Sequence, residues 1–153
     1  MALRNILIHP DPRLKKVATP VASVTDDLRR LADDMLETMY HAPGIGLAAP
    51  QVGISQRVFV VDTAWKEADP QPMIFVNPQI VETSPDQATG LEGCLSIPGQ
   101  SFAVPRPVWI KLVWQDLTGV VHEGQFDGVQ AVCICHEFDH LNGVLISQTG
   151  VLQ

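Results

Sequence analysis

The sequence predicts an α+β protein: antiparallel or mixed β-strands packed around a central helix that bears an HExxH pattern, with one amphipathic helix near the N-terminus. Three observations carry this. A single segment of helical period lies early in the chain, a series of β-branched and aromatic runs follows it, and an apolar helix-like segment comes last. Helix, strands and helix in that order do not give the βαβ alternation of a parallel sheet.

The N-terminal IHPDPRLKKVATPV has prolines at 10, 12 and 20, which fix φ and remove backbone donors, so it reads as an extended or turning arm. Thr25 is placed as an N-cap. From Asp26 to His41, Leu28, Leu31, Met35, Leu36 and Met39 recur at helical spacing, with charged residues mostly on the other face. APGIGLAAPQVG (42–53) has three glycines, two prolines and no charge, which is unusual for an exposed loop and suggests that something lies against it. RVFVVD (57–62), MIFVNPQIVET (73–83), VWIKLVWQD (108–116) and VVHEGQFDG (121–128) read as strands bounded by Pro, Gly and Asp. WKEADPQP (65–72) is a surface loop between two of them. The last helix runs from Val129 to Leu141 and ends at Asn142-Gly143, a usual C-terminal signal.

At 153 residues, with 46% hydrophobic and 18% charged residues, the chain fits one domain over 1–153. A formal charge of −7 and only ten Lys and Arg argue against direct nucleic-acid binding, which needs clustered cations. No apolar run reaches the length of a membrane span, and the start lacks the apolar core and cleavage site of a signal peptide. Three cysteines without regular spacing suit ligands, nucleophiles or core residues in a reducing compartment. A soluble, cytoplasmic protein without membrane association is expected.

His136-Glu137-Phe138-Asp139-His140 is HExxH. On a helix, positions i and i+4 lie about 40° apart around the axis, so both imidazoles face one ion, while Glu137, roughly 100° from His136, reaches a water beside it. The pattern alone is only suggestive, because two histidines four apart can also be surface or core residues. A tetrahedral catalytic site takes three protein ligands and leaves a fourth position for water. The best candidate for the third is Cys94 in GLEGCLSIPG, a tight, glycine-rich backbone presenting one thiol, although a free Cys is often a small buried hydrophobe.

Three segments, GIGLAAPQVG (44–53), EGCLSIPG (92–99) and HEFDHLNG (136–143), occur in an order and spacing that resemble the bacterial-type peptide deformylases. The similarity runs from LIHPDPRL to NGVL. It implies a metallohydrolase that removes the formyl group from the N-terminal methionine of nascent chains. Cys94, His136 and His140 would hold one divalent metal, Fe2+ in the cell with Zn2+, Ni2+ or Co2+ as substitutes. Glu137 would take a proton from the attacking water and deliver it to the leaving amine. The side-chain amide of Gln51 and the backbone N–H of Leu95 would stabilise the oxyanion. Formylmethionyl peptides would add as a strand beside Gly44, Ile45 and Gly46, with Gly46 leaving room for the backbone. Ile45, Val132, Cys133 and His136 would line the methionine pocket, which makes Cys133 a wall. Glu92, grouped with the substrate-binding residues, would pair with Arg106 to brace the Cys94 loop, or form an ordinary surface pair.

Two departures from the family stand out. Cys135 occupies the place of a usual Gln and puts a second thiol near the site, where it favours oxidation. Bacterial relatives continue into a long charged helix implicated in ribosome docking, so contact with the ribosome is not expected by that route from a chain ending SQTGVLQ. His9, His41 and His122 have no partner pattern, and the tryptophans read as packing or loop-anchoring residues. The competing readings are a divergent paralogue acting on another N-acyl substrate, an HExxH metallopeptidase and a non-catalytic metal-binding module. The metallopeptidase lacks a downstream third ligand, and the module needs a fourth protein ligand and leaves Glu137 and Gln51 without purpose.

Overall fold

A computed structural model describes residues 2–153. Helix α1 spans Asp26–His41, as its period predicts, and the Thr25 hydroxyl accepts the Leu28 N–H at 3.2 Å. Asp26 and Asp27 place negative charge on its first turn, where the helix dipole favours it. Strands β1 (Gly46–Ala48), β2 (Val58–Val61) and β3 (Met73–Thr83) follow, then β4 (Gln87–Cys94), β5 (Ile97–Pro107), β6 (Trp109–Gln115) and β7 (Val121–Asp127). Helix α2 (Gly128–Leu141), the short α3 (Ile146–Thr149) and β8 (Val151–Leu152) complete the order.

One sheet has the order β1-β2-β3-β6-β7 and the other β4-β5-β8, with every ladder antiparallel. The first sheet is buried on both faces near β2, which explains the unbroken apolar run VFVV. Phe59 and Val61 join Phe75, Ile110, Leu112 and Ile134 of α2 in one core, while Val58 and Val60 meet Leu28, Leu31, Met35 and Met39 of α1 in another. Each of those α1 side chains contributes about 1.5–3 kcal/mol by leaving water.

Two expectations need correction. The apolar segment 42–53 is not a loop throughout. Gly46–Ala48 pairs with β2 and Ala49–Val52 forms a 3-10 turn, both buried, which is why this stretch carries no charge. The segment around GLEGCLSIPG is likewise the end of a long hairpin, β4–β5, with Cys94 opposite Ile97. Its residues do not alternate in burial and it contains Gly90, Gly93, Pro98 and Gly99, so the usual strand signals are missing.

The far end of α2 is fixed against the N-terminal arm. The Ala18 N–H donates to the Leu141 carbonyl at 2.8 Å, and Arg57 donates to the same carbonyl at 2.9 Å. Gly143, at φ 72°, closes the helix at a point where any Cβ would collide with the Lys15 carbonyl, so only glycine fits. These contacts set the height of α2 in the core, and with it the positions of His136 and His140.

Candidate metal centre

Helix α2 delivers His136 and His140 from one face, as i and i+4 require, into the space reached by Cys94 at the tip of β4. His136 Nε2 and His140 Nε2 lie 3.3 Å apart, and Cys94 Sγ lies 3.4 Å from His140 Nε2. All three ligand atoms fall within 4.8 Å of one another. Bonds of zinc length arranged tetrahedrally would put such atoms about 3.3–3.6 Å apart, so the donor set fits a divalent cation of that class. A closed structural site would need a fourth protein ligand, and this cluster among the described residues has three.

The cluster is held from behind. His136 Nδ1 meets Glu92 Oε1 at 2.9 Å, and Arg106 grips both Glu92 oxygens at 2.9 and 3.0 Å while donating to Asp139 at 2.7 Å. Arg106 and Glu92 side chains are only 7% and 6% exposed, so this is a buried brace rather than a surface pair. Burial alone would raise the Glu92 carboxyl. The hydrogen bonds from His136 and Arg106 overrule it and hold the group below its ordinary value. A carboxylate behind the ring fixes the imidazole so that Nε2 faces the ion. His140 has no such partner at Nδ1 among the described residues. Burial and its neighbours split the two rings: Glu137, Cys94 and Glu92 raise His136 against burial, whereas burial and His136 hold His140 well down.

Glu137 is buried on α2, and burial pushes its carboxyl up to about 7 although His136 and Arg106 pull the other way. Its Oε1 has no protein partner among the described residues. A Cβ at Gly46 would stand 2.5 Å from Glu137 Oε2 and 2.8 Å from Cys133 Sγ. The space at Gly46 thus belongs first to Glu137 and Cys133. Gly46→Ala is expected to displace the carboxylate and lower kcat/KM by about 100-fold with metal content unchanged, since a misplacement near 1 Å has that effect. A loss below threefold would sink this reading.

Gln51 has a fixed amide. Its Oε1 accepts the Ala48 N–H at 2.9 Å, and its Nε2 donates to Ser96 Oγ at 3.1 Å and lies 3.8 Å from Cys94 Sγ. Gln51, Cys94 and Leu95 line a cavity of about 680 Å³ together with Glu92, His136 and Glu137. Gly44, Ile45, Gly46, Val132 and Cys133 form its other side.

At β1 the Asp62 N–H donates to the Ile45 carbonyl at 2.9 Å, so antiparallel alternation turns the Gly46 N–H and C=O away from β2, to the open edge. The Gly44 carbonyl is taken by the Trp65 indole N–H at 2.9 Å.

The polypeptide deformylase family model matches residues 3–150. The chain belongs to the polypeptide deformylase family. It is 54% identical over 145 residues to the peptide deformylase of Alkalilimnicola ehrlichii, covering 95% of this chain and 80% of that one. With the peptide deformylase of Afipia carboxidovorans it shares 50%, covering 95% and 85%. The crystal structure of the Thermotoga maritima peptide deformylase superposes with a TM-score of 0.92 at 42% identity, over 97% of this chain and 98% of that one. A class I type b peptide deformylase from Acinetobacter baumannii, bound to Met-Ala-Ser, gives 0.90 at 35% identity, over 97% and 98%. Polypeptide deformylases are metal-dependent, and the Cys94, His136 and His140 cluster is a fitting metal site.

Sequence reasoning did not find three contributors: Asp139 holds Arg106, Ser96 holds Gln51 and Lys66 lines the cavity, while Trp65, expected to pack or anchor a loop, holds Gly44. Asp139 alone left a signal, lying one helical turn from His136. Cys135 does not line the cavity, and burial pushes its thiol up to about 11, so the expected oxidation has little thiolate to start from near neutral pH. His122 bonds Asp116 at 2.6 Å on the β6–β7 turn, and His41 is exposed.

Proposed function

We propose that Cys94, His136 and His140 hold a divalent cation and that Glu137, Gln51 and Leu95 act beside it in the family's reaction: hydrolysis of the formamide at the N-terminal methionine of nascent peptides. The supporting observation is the spacing of the three ligand atoms, 3.3 and 3.4 Å along two edges, with the buried carboxyl of Glu137 on the same helix. When bound, the cation supplies Lewis acidity and a nucleophilic water near neutral pH. Glu137, already pushed up to about 7, is suited to accept a proton from the attacking water and pass it to the leaving amine. Ser96 and the Ala48 N–H keep the Gln51 amide facing the thiol, which leaves a donor for the oxyanion, and the Leu95 N–H is the second donor.

The substrate backbone pairs with Gly46 at the open edge of β1, and its methionine side chain enters between Ile45, Val132 and Cys133. The Met-Ala-Ser bound to the Acinetobacter relative supports a peptide of this kind. Glu92 acts on the substrate only through His136. Residues 1–153 form one catalytic domain that works in the cytoplasm on chains emerging from the ribosome, with ferrous iron in the cell and zinc, nickel or cobalt as substitutes. No described helix is long and apolar enough to cross a membrane.

The test is release of formate from formyl-Met-Ala-Ser by protein loaded anaerobically with ferrous iron or, separately, nickel, beside Cys94→Ser. The wild-type chain is expected to bind one metal and release formate. The variant should lose metal affinity on the order of 100-fold or more, because outer-shell partners alone account for 10–100-fold. Full metal retention by Cys94→Ser would remove Cys94 from the ligand set.

A further inference from the structure

The segment between β2 and β3, expected as a plain surface loop, is built around a fully buried carboxylate. Asp62 accepts hydrogen bonds from Tyr40 OH at 2.6 Å, from the Ala64 and Trp65 N–H groups at 3.0 and 3.1 Å, and from the Gln71 N–H at 2.9 Å. The Trp65 indole stands edge-on to Tyr40 and donates to the Gly44 carbonyl. This scaffold carries the next residue, Lys66, to the mouth of the cavity, with Nζ 3.4 Å from the Pro43 carbonyl and 5.7 Å from the Trp65 ring centroid. Lys66 is the one lysine or arginine lining the cavity among the described residues. The acidic neighbours Glu67 and Asp69 do not line it. The other charged groups there are committed: Glu92 to Arg106 and His136, and Glu137 deep beside the histidines.

Position along β1 gives the lysine a partner. Gly46 abuts Glu137, whereas Pro43 abuts Lys66. A peptide paired antiparallel to this segment, with its formyl group at the Glu137 end, runs from Gly46 back towards Pro43. Three extended residues cover about 10 Å, so the side chain of the second or third residue reaches Lys66.

We propose that Lys66 is a specificity-determining residue that favours peptides carrying an acidic side chain at the second or third position after the formyl group. This rests on the formyl-peptide reading above. The lysine head is exposed, so the selection is modest, screened by salt, and corresponds to about two- to fivefold in kcat/KM.

The experiment compares C-terminally amidated formyl-Met-Ala-Asp, formyl-Met-Ala-Ser and formyl-Met-Ala-Lys, and the same set with the charge at the second position. Wild type, Lys66→Gln, Lys66→Glu and the remote control Lys111→Gln are assayed at low and high salt. The readout is the Asp/Lys ratio of kcat/KM within each protein. The expected ratio is about two to five in wild type and Lys111→Gln at low salt, near one in Lys66→Gln, and below one in Lys66→Glu. A ratio identical in wild type and Lys66→Gln at both positions overturns the proposal, as does an equal change in Lys111→Gln, which would mark bulk charge as the cause. Failure to deformylate even the serine peptide overturns the formyl-peptide reading and this proposal with it. Turnover of all three peptides without charge preference overturns this proposal alone.

Discussion

Glu137→Gln is expected to keep stoichiometric metal and lower kcat/KM for a formylated peptide by about 10²- to 10⁴-fold, the range for removing a positioned general base. The substitution is nearly isosteric. Burial disfavours the charged form of Glu137, pushing its carboxyl up to about 7, and a neutral amide adds no charge to be desolvated there. It cannot take a proton from water or carry one to the amine. Thermal stability should therefore stay within about 1 kcal/mol of wild type while turnover collapses. Metal content, melting temperature and formate release on one preparation decide the matter. Activity within tenfold of wild type, with metal bound, would transfer the proton role to another group.

Arg106→Met should produce the largest loss of stability, about 3–5 kcal/mol, because it strips the partner from a buried charge. Arg106 makes three charge-assisted hydrogen bonds, two to Glu92 and one to Asp139, and these raise its own pKa against a burial that would lower it. Without it, Glu92 keeps only His136. Urea unfolding of the single variants and of Arg106→Met with Glu92→Gln separates the lost packing from the stranded carboxylate. The double variant should recover a large part of the loss, since removing both charges is often close to neutral. A single-variant cost below 1 kcal/mol would show that the brace is not energetically coupled.

The sequence was most legible where one local period decided the structure. Helix α1 follows from the spacing of Leu28, Leu31, Met35 and Met39 together with a Thr25 cap, and β3 matches its predicted bounds. His136 and His140 were readable because four residues on a helix is a spatial statement. Cys94 needed its flanking motif, since nothing local to the thiol marks it as a ligand. The β4–β5 hairpin was hidden because its residues face water irregularly and its glycines and prolines imitate loop punctuation. Pairings such as Glu92 with His136, Gln51 with Ser96 or Trp65 with Gly44 join positions far apart in the chain, and they exist only once both sheets are in place. At Gly46 the sequence shows that a side chain is absent, and only packing shows that Glu137 and Cys133 stand where one would be.

The anchoring of α2 against the N-terminal arm has a consequence for the order of synthesis. The Ala18–Leu141 hydrogen bond and the Gly143–Lys15 contact join segments more than 120 residues apart in the chain, and His140 lies just before that junction. A growing chain therefore carries Gln51 for about 4–17 s and Cys94 for about 2–8 s of translation before His136 is added, at about 5–20 residues per second. A chain that stops before α2 lacks two of the three clustered ligand atoms. The proposed centre is therefore a late product of folding, assembled only once the N-terminal arm, both sheets and α2 have met.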